Sequence, residues 1–221
     1  MSSTNRGSDR HPADYYPTPS WCVDRLLEAV DMPGGVWLEA CAGEGHIIRA
    51  AQRDDVAWAA VELREECSQV LADAGAQWVV IGDINSGATF ALADEAQPDV
   101  IITNPPFGIS AEVIQTLLHL AERNRATLVI LQRLNYLGTA SRSWLDQQMP
   151  DIYILPDRPS FTGKGTDSCE YAWFVWPAGE YHRSAGRVQR LDVTPSAQKL
   201  APETGSEPLK PRQRALFGVE A

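Results

Sequence analysis

Four consecutive residues, Asn104-Pro105-Pro106-Phe107, carry the clearest chemical potential in the sequence, directly after the apolar run Asp99-Val100-Ile101-Ile102-Thr103. A buried strand that ends in Asn-Pro-Pro-aromatic has little structural rationale. Two prolines remove two backbone donors and fix two φ angles where the chain leaves the sheet. The turn is therefore rigid. It holds the Asn104 carboxamide oxygen and the Pro105 carbonyl as a pair of acceptors, with Phe107 as a flat wall beside them. That combination suits an aromatic amine.

A second constellation surrounds a ligand. Glu39-Ala40-Cys41-Ala42-Gly43-Glu44-Gly45 is a Gly-x-Gly turn between a strand and a helix, where small residues allow close approach to the backbone and a helix start offers free N–H groups. Glycine there also suits tight packing alone. Glu62, with Leu63 after it, closes the next strand, where a carboxylate suits a ribose diol. Asp83 and Ile84 follow the third strand, where the acid can accept an adenine amino hydrogen and Ile84 can pack on the ring. The third glycine of a dinucleotide fingerprint is missing, because Gly45 is followed by His46-Ile47-Ile48. The acidic lining from Glu39, Glu44, Glu62 and Asp83 suits a sulfonium and an ammonium better than a pyrophosphate, so S-adenosylmethionine is the expected cofactor.

These residues require a framework, and the chain alternates apolar runs with helical patterns. Strands are expected at Val36–Glu39, Ala57–Glu62, Trp78–Gly82, Asp99–Thr103, Thr127–Leu131, Ile152–Leu155 and Tyr171–Trp176. Helices are expected at Trp21–Val30, Gly45–Arg53, Arg64–Ala74, Ser110–Asn124 and Ser141–Gln148, with Thr18 as the N-cap of the first and Pro19 at its first position. Strands apolar along their whole length imply a mostly parallel sheet covered on both faces. The expected fold is α/β: a Rossmann-like, doubly wound, seven-stranded sheet. Pro156–Glu170 is too short and Gly/Pro-rich for a crossover helix, so the last two strands are expected as an antiparallel hairpin at the edge. Residues 14–180 form the expected domain, with a flexible tail at 1–13 and an irregular tail or arm at 181–221.

Bulk properties narrow the class further. At 221 residues and 44% hydrophobic, the chain can bury one sizeable core. The four cysteines are far apart, without metal-ligand or disulfide spacing, and no apolar run approaches a membrane span. A cytoplasmic protein without metal, monomeric or weakly dimeric, is expected. The net charge of −10 lacks the footprint of a general nucleic-acid binder. That acidity is confined to residues 1–150, with 10 Lys+Arg against 20 Asp+Glu, whereas residues 151–221 hold 9 of each. A polyanion is thus expected to approach through Arg158, Lys164, Arg183, Arg187 and Arg190.

In order, Tyr15-Tyr16-Pro17-Thr18-Pro19, Glu39 to Gly45, Glu62, Asp83 and Asn104 to Phe107 resemble the amino-methyltransferases that make N6-methyladenine in DNA. Arg158-Pro159-Ser160-Phe161-Thr162-Gly163 and Ser168 to Trp176 look like the small phage-type members of that family. The resemblance spans residues 14–176 and implies a class I S-adenosylmethionine-dependent fold. It implies that Tyr16 and Thr18 help hold the cofactor's methionine part, beside Glu39, Ala40, Gly43, Gly45, Glu62, Leu63, Asp83, Ile84 and Asn104. Two positions depart from the family: Glu39-Ala40 replaces a frequent Asp-Pro, and Phe107 replaces the usual Tyr.

For such a reaction, Asn104, Pro105 and Phe107 are the expected catalytic group. A base swung out of a duplex needs two flanking surfaces. Phe107 and Phe161 are the expected pair, with Lys164 on a phosphate. RNA base amines and protein glutamine amides are planar nitrogens that can use the same acceptors, and they remain open as substrates. A non-catalytic regulator is a further alternative, although it predicts a damaged motif.

Overall fold

The computed structural model describes residues 16–161 and 165–192. Eight strands form one sheet in the order β3-β2-β1-β4-β5-β7-β6-β8. The strands are β1 (Gly35–Glu39), β2 (Val56–Glu62), β3 (Ala76–Ile81), β4 (Val100–Thr103), β5 (Thr127–Arg133), β6 (Asp151–Ile154), β7 (Tyr171–Trp176) and β8 (Val188–Arg190). Pairings from β3 through β5 are parallel, and β7 runs antiparallel to both β5 and β6. The helices are α1 (Ser20–Ala29), α2 (His46–Ala50), α3 (Ser68–Asp73), α4 (Gly87–Ala96) and α5 (Ser110–Asn124).

Alternation along each strand explains why the runs are apolar throughout. Trp37, Val100, Ile102, Val129, Leu131 and Trp173 face the α1–α3 layer, whereas Leu38, Ile101, Leu128, Ile130 and Phe174 face the layer with α5. Both faces are buried, as a doubly wound sheet demands. Trp37 and Trp58 meet edge to face at 5.4 Å in the first layer. Helix α5 presents Val113, Ile114, Leu117, Leu118 and Ala121 to the second, at the spacing of one helical face. Helix α1 is tied to the sheet by Trp173, whose indole N–H donates to the Cys22 carbonyl at 2.8 Å.

The seven expected strands are all present, but the sheet has eight. Strand β8 lies parallel to β6 and covers the edge expected for the hairpin. Its three residues are all exposed and carry no alternating pattern, so only tertiary contacts specify it. The anchor is Asp151, which is 1% exposed. Its carboxylate accepts from the Arg187 N–H at 2.6 Å and pairs with the Arg183 guanidinium at 2.9 Å. Gly186 must be glycine, because a Cβ there would lie 1.7 Å from the Pro150 carbonyl oxygen. The sheet thus runs past residue 180, and Tyr181 is buried with its hydroxyl 2.6 Å from the Ala126 carbonyl.

Helix α4 is also additional. It begins at Ser86, whose side chain accepts from the Thr89 N–H, within a stretch whose Asn, Ser and Gly read as loop. The expected helix at 64–74 splits into a 3₁₀ turn at Glu65–Cys67 and α3. The one expected at 141–148 is replaced by 3₁₀ turns at Ala140–Gln147 that are broken by a kink at Arg142. Thr18 is not a helix cap: Pro19 occupies that position, and the Thr18 hydroxyl is used elsewhere.

Removing one partner of a buried ion pair costs about 3–5 kcal/mol. Asp151→Ala is therefore expected to lower unfolding free energy by about 3 kcal/mol in urea titrations. A loss below about 0.5 kcal/mol, the scale of an ordinary surface substitution, would refute the anchor.

Candidate functional site

The strand order reverses between β1 and β4, which leaves a crevice at their carboxyl ends, the usual ligand position in open α/β sheets. Asn104 enters it directly after β4. Its side-chain N–H₂ donates to the Tyr16 carbonyl and to the Thr18 hydroxyl, both at 3.1 Å. A backbone carbonyl can only accept, so this contact fixes which end of the carboxamide is nitrogen. The opposite end, Oδ1, is shielded from water and has no hydrogen-bond partner among the described residues. An unsatisfied buried acceptor costs about 1–3 kcal/mol, and because Asn104 lines the crevice, a ligand's donor there could satisfy this one.

The crevice is lined by Tyr16, Thr18, Glu39, Ala40, Gly43, Glu62, Leu63, Asp83, Ile84 and Asn104, so it gathers the expected cofactor residues from four strand ends. Gly45 is the exception. It lies outside the lining, in left-handed backbone at φ +76, and a Cβ would approach the Ala74 methyl to 2.9 Å. Packing of the turn on α3 therefore explains this glycine. Among residues not anticipated, Ile109 and Val113 complete an apolar wall with Leu63 and Ile84, and Ile109 and Leu63 are exposed. An exposed aliphatic just after the Pro-Pro turn is the signal that identifies Ile109.

The acids are differently employed. Glu62 accepts from the Gly43 N–H at 2.6 Å through one oxygen, and from the backbone and side chain of Arg64 at 3.0 Å through the other. It thereby holds the glycine turn against β2, and its remaining lone pairs can still accept. Asp83 is exposed and caps its own turn by accepting from the Asn85 N–H at 2.7 Å. Glu39 is 3% exposed and accepts from the Ile48 N–H at 3.3 Å. Burial pushes its carboxyl well above the ordinary value, against the Ile48 bond and helped by the nearby Glu62 charge. Burial likewise pushes the Cys41 thiol up to about 12, with Glu62, Glu39 and Asp83 opposing a thiolate. Cys41 stays protonated and is no nucleophile.

Beside the crevice lies an aromatic cluster. Phe107 stacks on Tyr16 with centroids 5.6 Å apart and planes at 28°, and the Arg133 guanidinium lies 4.2 Å from its ring centroid. Phe161 is close to Phe107, at 6.3 Å, but the two rings meet edge to face at 64° rather than as parallel walls. Phe161 is also buried against Tyr171 at 5.2 Å. A flat base between Phe107 and Phe161 therefore requires these rings to move. Lys164 lies outside the described residues. Of the other expected cations, Arg158 pairs with Glu170, and Arg183 and Arg187 with Asp151. Among the described residues there is no cluster of metal-ligating side chains, and no helix is long and apolar enough to cross a membrane.

No family model and no curated protein matches the chain. Solved structures do. The chain is similar to a protein of Pyrococcus horikoshii assigned as an RNA methyltransferase, with TM-score 0.55 and 19% identity over 75% of this chain and 88% of that one. It is similar as well to a protein of Agrobacterium tumefaciens assigned as an O-methyltransferase, with TM-score 0.51 and 16% identity over 78% and 84%. The fold is that of class I methyltransferases. At such identities the likeness concerns architecture, and the chemistry rests on the site's own residues.

The raised Glu39 carboxyl has a consequence for stability. Its ionisation is disfavoured in the folded state, so its presence costs stability once pH exceeds the carboxyl's unfolded value, and costs none below it. Glu39→Gln is expected to raise the melting temperature at pH 7, with the difference vanishing near about pH 4. A variant less stable than the wild type at pH 7 would contradict that picture.

Proposed function

We propose that the chain transfers a methyl group from S-adenosylmethionine to the exocyclic N6 amine of adenine in DNA. The observation that carries this reading is the Asn104 carboxamide, clamped through its nitrogen with its oxygen buried and unpartnered at the crevice. The fold, the Asn-Pro-Pro-Phe turn and the resemblance of residues 14–176 support the same chemistry.

The crevice's donor set suits the cofactor. Glu62 presents oxygens to a ribose, Asp83 and the Leu63, Ile84 and Ile109 wall suit an adenine, and Glu39 places a carboxyl where a cationic ligand would favour its ionised form. When bound, S-adenosylmethionine supplies a methyl group activated by its sulfonium.

The N6 lone pair of adenine is delocalised into its ring, so the amine attacks poorly while planar. Asn104 Oδ1 and the Pro105 carbonyl accept its two hydrogens and favour a pyramidal nitrogen. As that nitrogen takes the methyl group, both acceptors stabilise the developing positive charge. The new N–C bond would form as the cofactor's S–C bond breaks, leaving the thioether S-adenosylhomocysteine, and one N6 hydrogen then leaves as a proton to water. The Pro-Pro backbone keeps the acceptors fixed, and such positioning supplies much of the acceleration. The target base must leave the duplex to reach this seat, with Phe107 against one face. Since Tyr16 and Arg133 now cover that ring, binding requires at least one of them to move.

Incubation with methyl-labelled cofactor and separate DNA, RNA and protein substrates, followed by nucleoside analysis, tests the reading. Label is expected as N6-methyladenine in DNA, and Asn104→Ala is expected to lower transfer by at least about 100-fold while cofactor still binds. Label confined to RNA or protein would overturn the DNA assignment. Near-wild-type turnover of the variant would remove Asn104 from its role.

A further inference from the structure

Arg133 ends β5 and reaches the aromatic cluster, where its guanidinium lies 4.2 Å from the Phe107 centroid. Its Nε donates to the Tyr171 hydroxyl at 2.9 Å, and one Nη donates to the Asp167 carboxylate at 3.1 Å. The other Nη has no hydrogen-bond partner among the described residues. The two anchors differ in origin. Tyr171 is part of the sheet and fully buried, whereas Asp167 comes from the connection between β6 and β7.

Neighbouring cations are similarly neutralised. Arg64 in the crevice wall pairs with Glu62, and Arg158 in the β6–β7 connection pairs with Glu170. A chain of net charge −10 thus offers a polyanion few unpaired cations at this end of the sheet. The Arg133–Asp167 pair differs from these in lying against Phe107, and Tyr171 holds both of its members, since its hydroxyl accepts from Arg133 and donates to the Asp167 carboxylate at 2.6 Å.

We propose that Arg133 receives a backbone phosphate of the DNA beside the target base, and that Asp167 occupies this position in the free protein. The inference rests on the reading of DNA as substrate. A guanidinium fork fits two phosphate oxygens as it fits a carboxylate, so the exchange keeps Arg133 paired while the displaced Asp167 carboxylate turns out into solvent. Contact with Phe107 sets the phosphate next to the ring assigned to the flipped base. Asp167 therefore opposes DNA binding, although its bonds from Arg133, the Tyr171 hydroxyl and the Ser168 N–H also serve the fold.

Two substitutions test this in duplex-DNA binding measured across a salt series, with cofactor affinity as the control for folding. Asp167→Asn removes the charge but keeps a hydrogen-bonding side chain, and is expected to tighten DNA binding by about threefold at low salt. Arg133→Gln is expected to weaken binding and to reduce the slope of log K against log salt by about 0.9, the contribution of one phosphate. Weaker binding by Asp167→Asn, or an unchanged slope in Arg133→Gln, would overturn the assignment while leaving a DNA-methylating wild type intact. A wild type that neither binds nor methylates DNA would overturn the substrate reading and this inference together.

Discussion

The site depends on a single carboxamide held by its wrong-looking end. Asn104 gives its two N–H bonds to protein acceptors and leaves its oxygen buried without one. Folding alone would not favour this arrangement, since an unsatisfied acceptor opposes stability by about 1–3 kcal/mol. It persists because both flanks are fixed. On one side, β4 is buried in the middle of the sheet and the two prolines stiffen its exit. On the other, the segment from Tyr16 to Pro19 runs into α1, which Trp173 ties to β7. The acceptors and the rigid turn are 86 and 88 residues apart in the chain, so the site forms only when the sheet has brought them together.

Around that carboxamide, the same residues serve structure and chemistry. Glu62 fastens the glycine turn, Asp83 closes its own turn, and Tyr16 contributes its carbonyl to Asn104 while its ring covers Phe107. The aromatic cluster is filled by the protein's own groups, with Arg133 between Phe107 and Tyr171. Entry of a planar substrate is therefore an exchange of contacts rather than occupation of an open slot. Under the proposed function, a ligand would replace both an aromatic face and the electrostatic partner of a guanidinium, which gives a physical basis for discrimination.

Strands whose burial is set by local pattern were legible from sequence, and all seven expected ones form. Strand β8 was not, since its exposed residues are held by the buried Asp151 rather than by their own periodicity. Helix α4 was hidden for a related reason: its Ser-Gly start resembles a loop, and only a few of its positions are buried. Acids and small residues at the strand ends share one crevice because topology brings strand ends together. What spacing could not reveal was use. Thr18 suits a helix cap by position yet accepts from a side chain 86 residues away, and Gly45 serves packing. Phe161 is near Phe107, but no pattern in sequence encodes the angle between two rings.

Under the proposed function, the Asn104 oxygen acts because the Tyr16 and Thr18 acceptors fix its orientation. Thr18→Val keeps the shape of the side chain and deletes one acceptor, so single-turnover methyl transfer and cofactor affinity measured on this variant separate orientation from binding. Transfer is expected to slow by about 5- to 10-fold, the worth of one hydrogen bond, with cofactor affinity changed by less than about twofold. Transfer at the wild-type rate, or a loss wholly explained by weaker cofactor binding, would contradict it.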